Sequence, residues 1–208
     1  MTSRAGQADK RRRALISAAL REVSDAGSLD VTVARIAARA GVSSALAHHY
    51  FGGKEDLILA TMRHLLAEFG DAIRAELRAS TGPRDRVSAL VRASFAPDQF
   101  HRATIGAWLI FYTKAMSSPE AARLLRLYQR RLQSNLVHAL RPLVGGAAPA
   151  LARTTAALID GLYLHEALKR EPADPDVAIA LIEATLDRAI GDRWQAGTGR
   201  AVAAGRPV

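Results

Sequence analysis

Apolar residues recur along this chain every three to four positions and almost never in alternation, which is the signature of amphipathic helices. Ile16, Ala19, Leu20 and Val23 fall at i, i+3, i+4 and i+7 and predict a first helix that stops near Gly27. Thr32 is placed to cap a short second helix, with Ile36, Ala37 and Ala40 inward, before Gly41 ends it. Ser43 is placed to cap a third, which runs to about Phe51 and is broken by Gly52-Gly53. A long fourth helix carries Ile58, Met62, Leu65, Phe69, Ile73 and Leu77 on one stripe and stops before Thr81-Gly82-Pro83. Further helices are predicted over 84–95, 99–117, 119–143, 150–170 and 175–190, punctuated by Gly145-Gly146, Pro149, Pro172 and Pro175. No run combines strand alternation with turn dipeptides, and no internal repeat is present. The pattern predicts an all-α fold of about nine helices, followed over 191–208 by a Gly-, Ala- and Arg-rich stretch that reads as a mobile tail.

Composition narrows this picture in three ways. With 208 residues, 49% of them hydrophobic, the chain can bury one large core or two small ones. It has no cysteine, so disulfides and thiolate metal sites are excluded. No apolar run approaches the roughly 20 residues of a membrane span, and the arginine-rich start lacks the continuous apolar segment of a signal peptide, so a cytoplasmic location is expected.

The net charge of +9 favours an anionic partner, nucleic acid first. A plain bias toward arginine would give the same number. Residues 121–141 carry Arg123, Arg126, Arg130, Arg131 and Arg141 without an acid, and that run reads as a solvated helix face. Placement of the charges has to decide.

Placement is informative between Thr32 and Phe51, TVARIAARAGVSSALAHHYF. Two short helices joined by a tight turn containing Gly make a helix-turn-helix. Ala37 and Ala40 are small enough for close helix approach, Gly41 supplies the turn, and Val42 plugs the angle. Ser43 caps the third helix, whose free amides and positive dipole end suit phosphate. Val42, Leu46 or Ala47, and Phe51 are expected to turn inward. Ser44, Ala45, His48 and His49 are expected to point outward, toward a major groove about 12 Å wide. Tyr50 and Lys54 suit backbone phosphates at the far end. On the other flank Thr32 and the cluster Lys10-Arg11-Arg12-Arg13 can hold phosphates, or the cluster can reach into a minor groove. The bland alternative is an ordinary helix pair in a bundle. The adjacent histidines diverge by about a quarter turn, and no further ligand completes a set at i, i+4, so neither a metal nor another cofactor is expected.

The run VARIAARAGVSSALAHHYFGGKEDLI resembles the TetR repressor family, both in the motif and in the Lys54-Glu55-Asp56-Leu57 start of the fourth helix. The order AWLIFYTKAMSSP (107–119), RRLQSNL (130–136) and ALIDGLYLHEAL (157–168) looks like its BetI subgroup, the choline-responsive repressors of glycine betaine synthesis genes. The likeness runs from about Arg11 to Ile190. It implies a TetR-like fold: an N-terminal arm and helix-turn-helix head over 1–53, and a helical ligand-binding and dimerisation body over 54–190. It also implies a homodimer paired through the helices at 150–170 and 175–190. Positions 44, 45, 46, 48 and 49 (Ser44, Ala45, Leu46, His48, His49) would face bases or nearby phosphates of a double-stranded operator. Thr32, Tyr50 and Lys54 would match phosphate contacts. The chain departs from the family at Ala47, where Leu is usual, and at His48, where Tyr or a small polar residue is common.

Aromatics make up only 5% of the chain, so their grouping matters for a small-molecule effector. Trp108, Phe111, Tyr112 and Ala115 share one helical face. Tyr128 and Asn135 lie two turns apart on the next helix. Asp160, Tyr163 and Glu166 form a row on the helix after that. Ring faces beside a carboxylate are what a quaternary ammonium requires. The sharp reading is a cage for choline or a related cation from Trp108, Phe111, Tyr112, Tyr163 and Asp160. The plain one is helix-packing core, with Asp160 paired to an arginine. Where the subgroup reads Asp-Gly-Leu-Trp-Leu-Arg, this chain has Asp160-Gly161-Leu162-Tyr163-Leu164-His165, which admits a different cation.

Three other classes stay in view. A ligand-blind DNA binder has no reason to gather scarce aromatics. An enzyme would need a phosphate loop, nucleophile motif or HExxH array, none of which is present. A helical adaptor would bind only protein.

Overall fold

The computed structural model describes residues 4–169 and 171–203. Nine α-helices stand among the described residues: α1 (Arg4–Ala26), α2 (Val33–Arg39), α3 (Ser44–Phe51), α4 (Lys54–Ala79), α5 (Pro83–Ser94), α6 (Arg102–Ser117), α7 (Pro119–Val144), α8 (Ala148–Leu168) and α9 (Pro175–Ala203). A 3-10 turn over Gly145–Ala147 joins α7 to α8. No strand occurs among the described residues, as the three-to-four periodicity requires. No described helix is long and apolar enough to cross a membrane.

Boundaries follow local chemistry. The Thr32 hydroxyl accepts from the Arg35 amide at 3.2 Å and starts α2. Pro83 opens α5, where its missing N–H costs nothing. The third helix ends at Gly52, whose φ of 76° is left-handed backbone that Gly adopts without strain. Two ends differ from expectation by three residues or more. The sixth helix begins at Arg102 rather than 99, because His101 caps it by accepting from the Thr104 amide. The ninth runs past Gly191 to Ala203. An interior Gly costs only about 1 kcal/mol relative to Ala, and none of Gly191, Gly197 and Gly199 ends the helix. Of the expected tail, residues 204–208 lie outside those described.

The chain packs as two compact units. One holds the described residues through Gly70 together with His101–Tyr128; the other holds Asp71–Phe100 and the described residues from Gln129 onward. In the first, α1 lies against α2 and α6, and α2 against α3. Its core contains Leu15, Ile16, Ala19, Val23, Ile36, Ala47 and Leu57, all close to fully buried. The predicted stripe of α4 is buried at Ile58, Met62, Leu65 and Phe69. Gly106 of α6 faces Ser24 of α1 so closely that a Cβ there would stand 3.0 Å from the Ser24 hydroxyl and 3.7 Å from its Cα.

In the second unit α9 packs on α5 and α8. Ile159, Ala178, Ile182 and Leu186 belong to its core, while Leu164, Leu168, Val177 and Leu181 are exposed. Arg84 of α5 is paired with Glu183 and Asp187 of α9.

Candidate DNA-reading head and effector sites

Ser43 sits in extended backbone and its hydroxyl accepts from the Leu46 amide at 3.2 Å, which caps α3. Gly41, at φ 68°, supplies the turn between α2 and α3. The third helix is divided as its sequence predicts. Ala47 and Phe51 are buried, Val42 and Leu46 half-buried, and Ser44, Ala45, His48 and His49 exposed. Leu46 and Ala47 thus share the inward role. His48 Nδ1 lies 2.8 Å from the Gly52 carbonyl. Tyr50 is half-buried against the His49 ring. Lys54 lies 3.8 Å from Asp30, too loosely held to be withheld from a phosphate. Thr32 is exposed, although its hydroxyl is engaged as a cap.

The basic cluster on α1 is not uniform. The Arg12 guanidinium stacks over the Phe51 ring at 5.3 Å, a cation–π contact that pins the arm to the end of α3. Arg13 is paired with Asp9. Lys10 and Arg11 are exposed and have no ion pair among the described residues.

Sequence reasoning missed the group that fastens the head together. Glu22 of α1, only 5% exposed, lies 2.6 Å from Arg39 and 2.9 Å from Arg35, both on α2. Asp25 pairs with Arg39 at 2.8 Å. The Asp25 carboxylate, accepting from the Arg39 guanidinium, raises its already high pKa, and Glu22 adds to this. The available signal was Glu22 and Asp25 one turn apart on α1, opposite Arg35 and Arg39 one turn apart on α2.

The predicted aromatic residues fall into two clusters. In the first unit Trp108 stacks with Phe111 at 5.8 Å, tilts against Tyr112 at 6.1 Å and against Tyr128 at 4.8 Å. Phe69 of α4 meets Trp108 and Tyr128 edge-on. All but Tyr112 are buried. The Trp108 Nε1–H is buried without an acceptor among the described residues. Beside this cluster an apolar cleft of about 300 Å³, counting the solvent at its mouth, is lined by Val23, Ile58, Met62, Ala107 and Phe111 among others. It therefore touches α1, α4 and α6 together.

In the second unit Tyr163 meets Phe95 and Phe100 at 5.7 and 5.0 Å. Its hydroxyl donates to the Ser94 carbonyl, with the Gln99 carbonyl at 3.4 Å. Burial, with the charge of Asp160, raises the pKa of this phenol, so it stays neutral. Glu166 is buried and paired through Oε1 with Lys169. Asn135 and Asp160 are half-buried in the same unit. Phe95, Gln99 and Phe100 were not anticipated as a group: the periodicity placed them in the ends of helices over 84–95 and 99–117, whereas they lie in the non-helical stretch around Pro97. No cluster of three potential metal ligands occurs among the described residues.

A capped recognition helix with an exposed polar face, on a small three-helix head followed by a long helical body, defines a helix-turn-helix transcriptional regulator. Residues 15–61 match the family "Bacterial regulatory proteins, tetR family", and residues 83–191 match "BetI-type transcriptional repressor, C-terminal". The chain is 52% identical over 179 residues to the HTH-type transcriptional regulator BetI of Brucella suis biovar 1 (strain 1330), covering 86% of this chain and 90% of the relative. It is 49% identical over 191 residues to the BetI regulator of Rhizobium meliloti (strain 1021), covering 90% and 94%. Among solved structures, a putative regulator from Pseudomonas aeruginosa PAO1 superposes with a TM-score of 0.76 at 26% identity, over 88% of this chain and 91% of that one. A regulator from Saccharomonospora viridis, solved in complex with choline, has the same fold, with a TM-score of 0.74 at 24% identity over 85% and 95%. The chain belongs to the TetR family, as a BetI-type transcriptional repressor. The relatives are named as regulators and not as enzymes. Regulators of this family bind DNA operators and small-molecule effectors, commonly as dimers.

Proposed function

We propose that this repressor binds a pseudo-palindromic operator as a homodimer, and that choline or a related quaternary ammonium compound releases it to control glycine betaine synthesis genes. The observation that carries the reading is the outward face of α3, where Ser44, Ala45, His48 and His49 are exposed behind a capped N-terminus. Such a face suits a major groove. Thr32, Ser43, Tyr50, Lys54 and Arg11 to Arg13 frame it for phosphates, which supply most of the affinity, and the half-buried Leu46 would come near the DNA only by its exposed edge.

Two copies would pair through α8 and α9. Leu168, Val177 and Leu181 are 77%, 52% and 55% exposed in the single chain, a face that a second copy would cover. The effector would bind in the body, against either Trp108, Phe111, Tyr112 and Tyr128 of the first unit or Asn135, Asp160, Tyr163 and Glu166 of the second. It would release DNA only by binding the DNA-free conformer better, and a coupling of about 1–3 kcal/mol changes operator affinity about 5–150-fold. The near-50% identity to BetI regulators over most of the chain supports the choline assignment.

Titration of the promoter beside its own gene, with and without choline, tests the reading. Choline-weakened binding is expected, and equal affinity in both conditions overturns the effector part. Absence of any shift on promoter DNA overturns the whole.

A further inference from the structure

The four exposed side chains of α3 differ in how far their hydrogen-bonding polarity is settled before DNA arrives. Ser44 carries a hydroxyl that donates or accepts by rotation, and Ala45 offers only a methyl group. His49 touches the Tyr50 ring edge-on, and no hydrogen bond among the described residues holds its ring nitrogens. His48 is held. Its Nδ1 lies 2.8 Å from the Gly52 carbonyl oxygen.

A carbonyl oxygen only accepts, so the proton of this bond sits on Nδ1, an assignment made from the partner. The neutral ring carries one N–H, which leaves Nε2 with a lone pair and no proton. Gly52 also donates its own N–H to the His48 carbonyl at 2.7 Å. Side chain and main chain of His48 are therefore both tied to the left-handed glycine that ends α3. Nε2 has no partner among the described residues, and the residue is exposed. A bare acceptor thus stands on the face that the operator reading turns toward the groove.

We infer that His48 reads a base by accepting, through Nε2, from an exocyclic amino group in the major groove, N4 of cytosine or N6 of adenine. This deepens the operator reading above and rests on it. Those amino groups are the donors of the major groove, whereas N7 and O6 of guanine, N7 of adenine and O4 of thymine only accept. A lone pair set against an acceptor makes no bond and loses its water, so the fixed polarity selects against those atoms opposite Nε2. Phosphate oxygens fail for the same reason, since they too only accept. An unheld imidazole could serve either kind of partner by moving its proton. The Gly52 carbonyl removes that choice.

The test uses the full chain at about pH 8.5, where imidazole is uncharged. Nitrogen NMR of histidine-labelled protein, with His48→Ala to identify the signal, distinguishes a protonated ring nitrogen from a bare one. Protonated Nδ1 with bare Nε2 is expected, and the reverse overturns the inference. Duplexes that the parent selects from a random-sequence pool then supply a binding site. In it, 2-aminopurine replaces adenine and 2-pyrimidinone replaces cytosine, one position at a time; neither analogue has the major-groove amino group. One such replacement per half-site is expected to weaken the parent about three- to tenfold and His48→Ala less than about twofold. Penalties equal in parent and variant at every position, or absent from the parent, overturn the inference and leave operator binding intact. A parent that selects no sequence from the pool overturns the operator reading as well. If His48→Ala fails to fold, His48→Phe takes its place, a ring without the nitrogen, with the same outcomes.

Discussion

The Lys114 ammonium of α6 lies 2.6 Å from the Glu55 carboxylate, in the first turn of α4. Glu55 follows the Gly52-Gly53 break directly after the recognition helix, and Lys114 stands one turn beyond Phe111 of the first aromatic cluster. One ion pair therefore ties the helix that carries Trp108 to the base of the head. Lys114→Met is expected to change folding stability by less than about 1 kcal/mol, since Glu55 is largely exposed. The same change should shrink the effect of choline on operator affinity, read by paired titrations. A full choline response in the variant would remove this pair from the coupling.

Glu22→Gln is expected to lower stability by about 1–2 kcal/mol. A fully enclosed pair would cost about 3–5, but Arg35 is 59% exposed and water can compensate it. Operator binding should weaken further than the loss of folded protein explains, because α2 loses its fixed place on α1. Denaturant melts alongside gel shifts separate the two contributions.

Ser43→Ala removes the cap of α3 and is expected to cost about 1 kcal/mol. Ser43→Asp should restore the cap and still impair DNA binding, by placing a negative charge toward phosphate. Equal operator affinity for Ser43→Asp and the parent would show that this end of α3 does not approach the backbone.

The arm arginines should separate by salt dependence. Arg11→Ala is expected to reduce the slope of log affinity against log salt by about 0.9. Arg13, already paired with Asp9, should reduce it less. Arg12→Ala should lower the melting temperature as well, because its guanidinium covers Phe51.

Asp85 gives a pH prediction. Its carboxylate accepts from the Thr81 amide at 2.9 Å and pairs with Arg92, and both hold its pKa below the usual value. A depressed folded-state pKa stabilises above the unfolded-state value, and that contribution fades as pH falls through the folded one. Asp85→Asn should therefore destabilise at neutral pH and flatten the acid side of the stability profile below about pH 4. Melts from pH 2 to 7 would reveal an unchanged acid limb if the carboxylate contributes nothing.

Helices with one buried stripe were readable from periodicity, which is why the α4 stripe and the inward and outward faces of α3 were placed residue by residue. The caps at Thr32 and Ser43 were readable because their chemistry is local. What escaped was non-local. Glu22 looks like any surface acid until α2 brings Arg35 and Arg39 to it. Phe95, Gln99 and Phe100 lie in a stretch that α8 organises from some 65 residues away along the chain. The proposed cage also drew Trp108 and Tyr163 together from their side-chain types, whereas each is anchored in its own ring cluster.

The meeting of Gly106 with Ser24 has a mechanical consequence. At that crossing α6 presents only backbone and α1 only the small side chain of Ser24, so the two helices approach with little side-chain volume between them and Gly106→Ala would have to push the Ser24 hydroxyl aside.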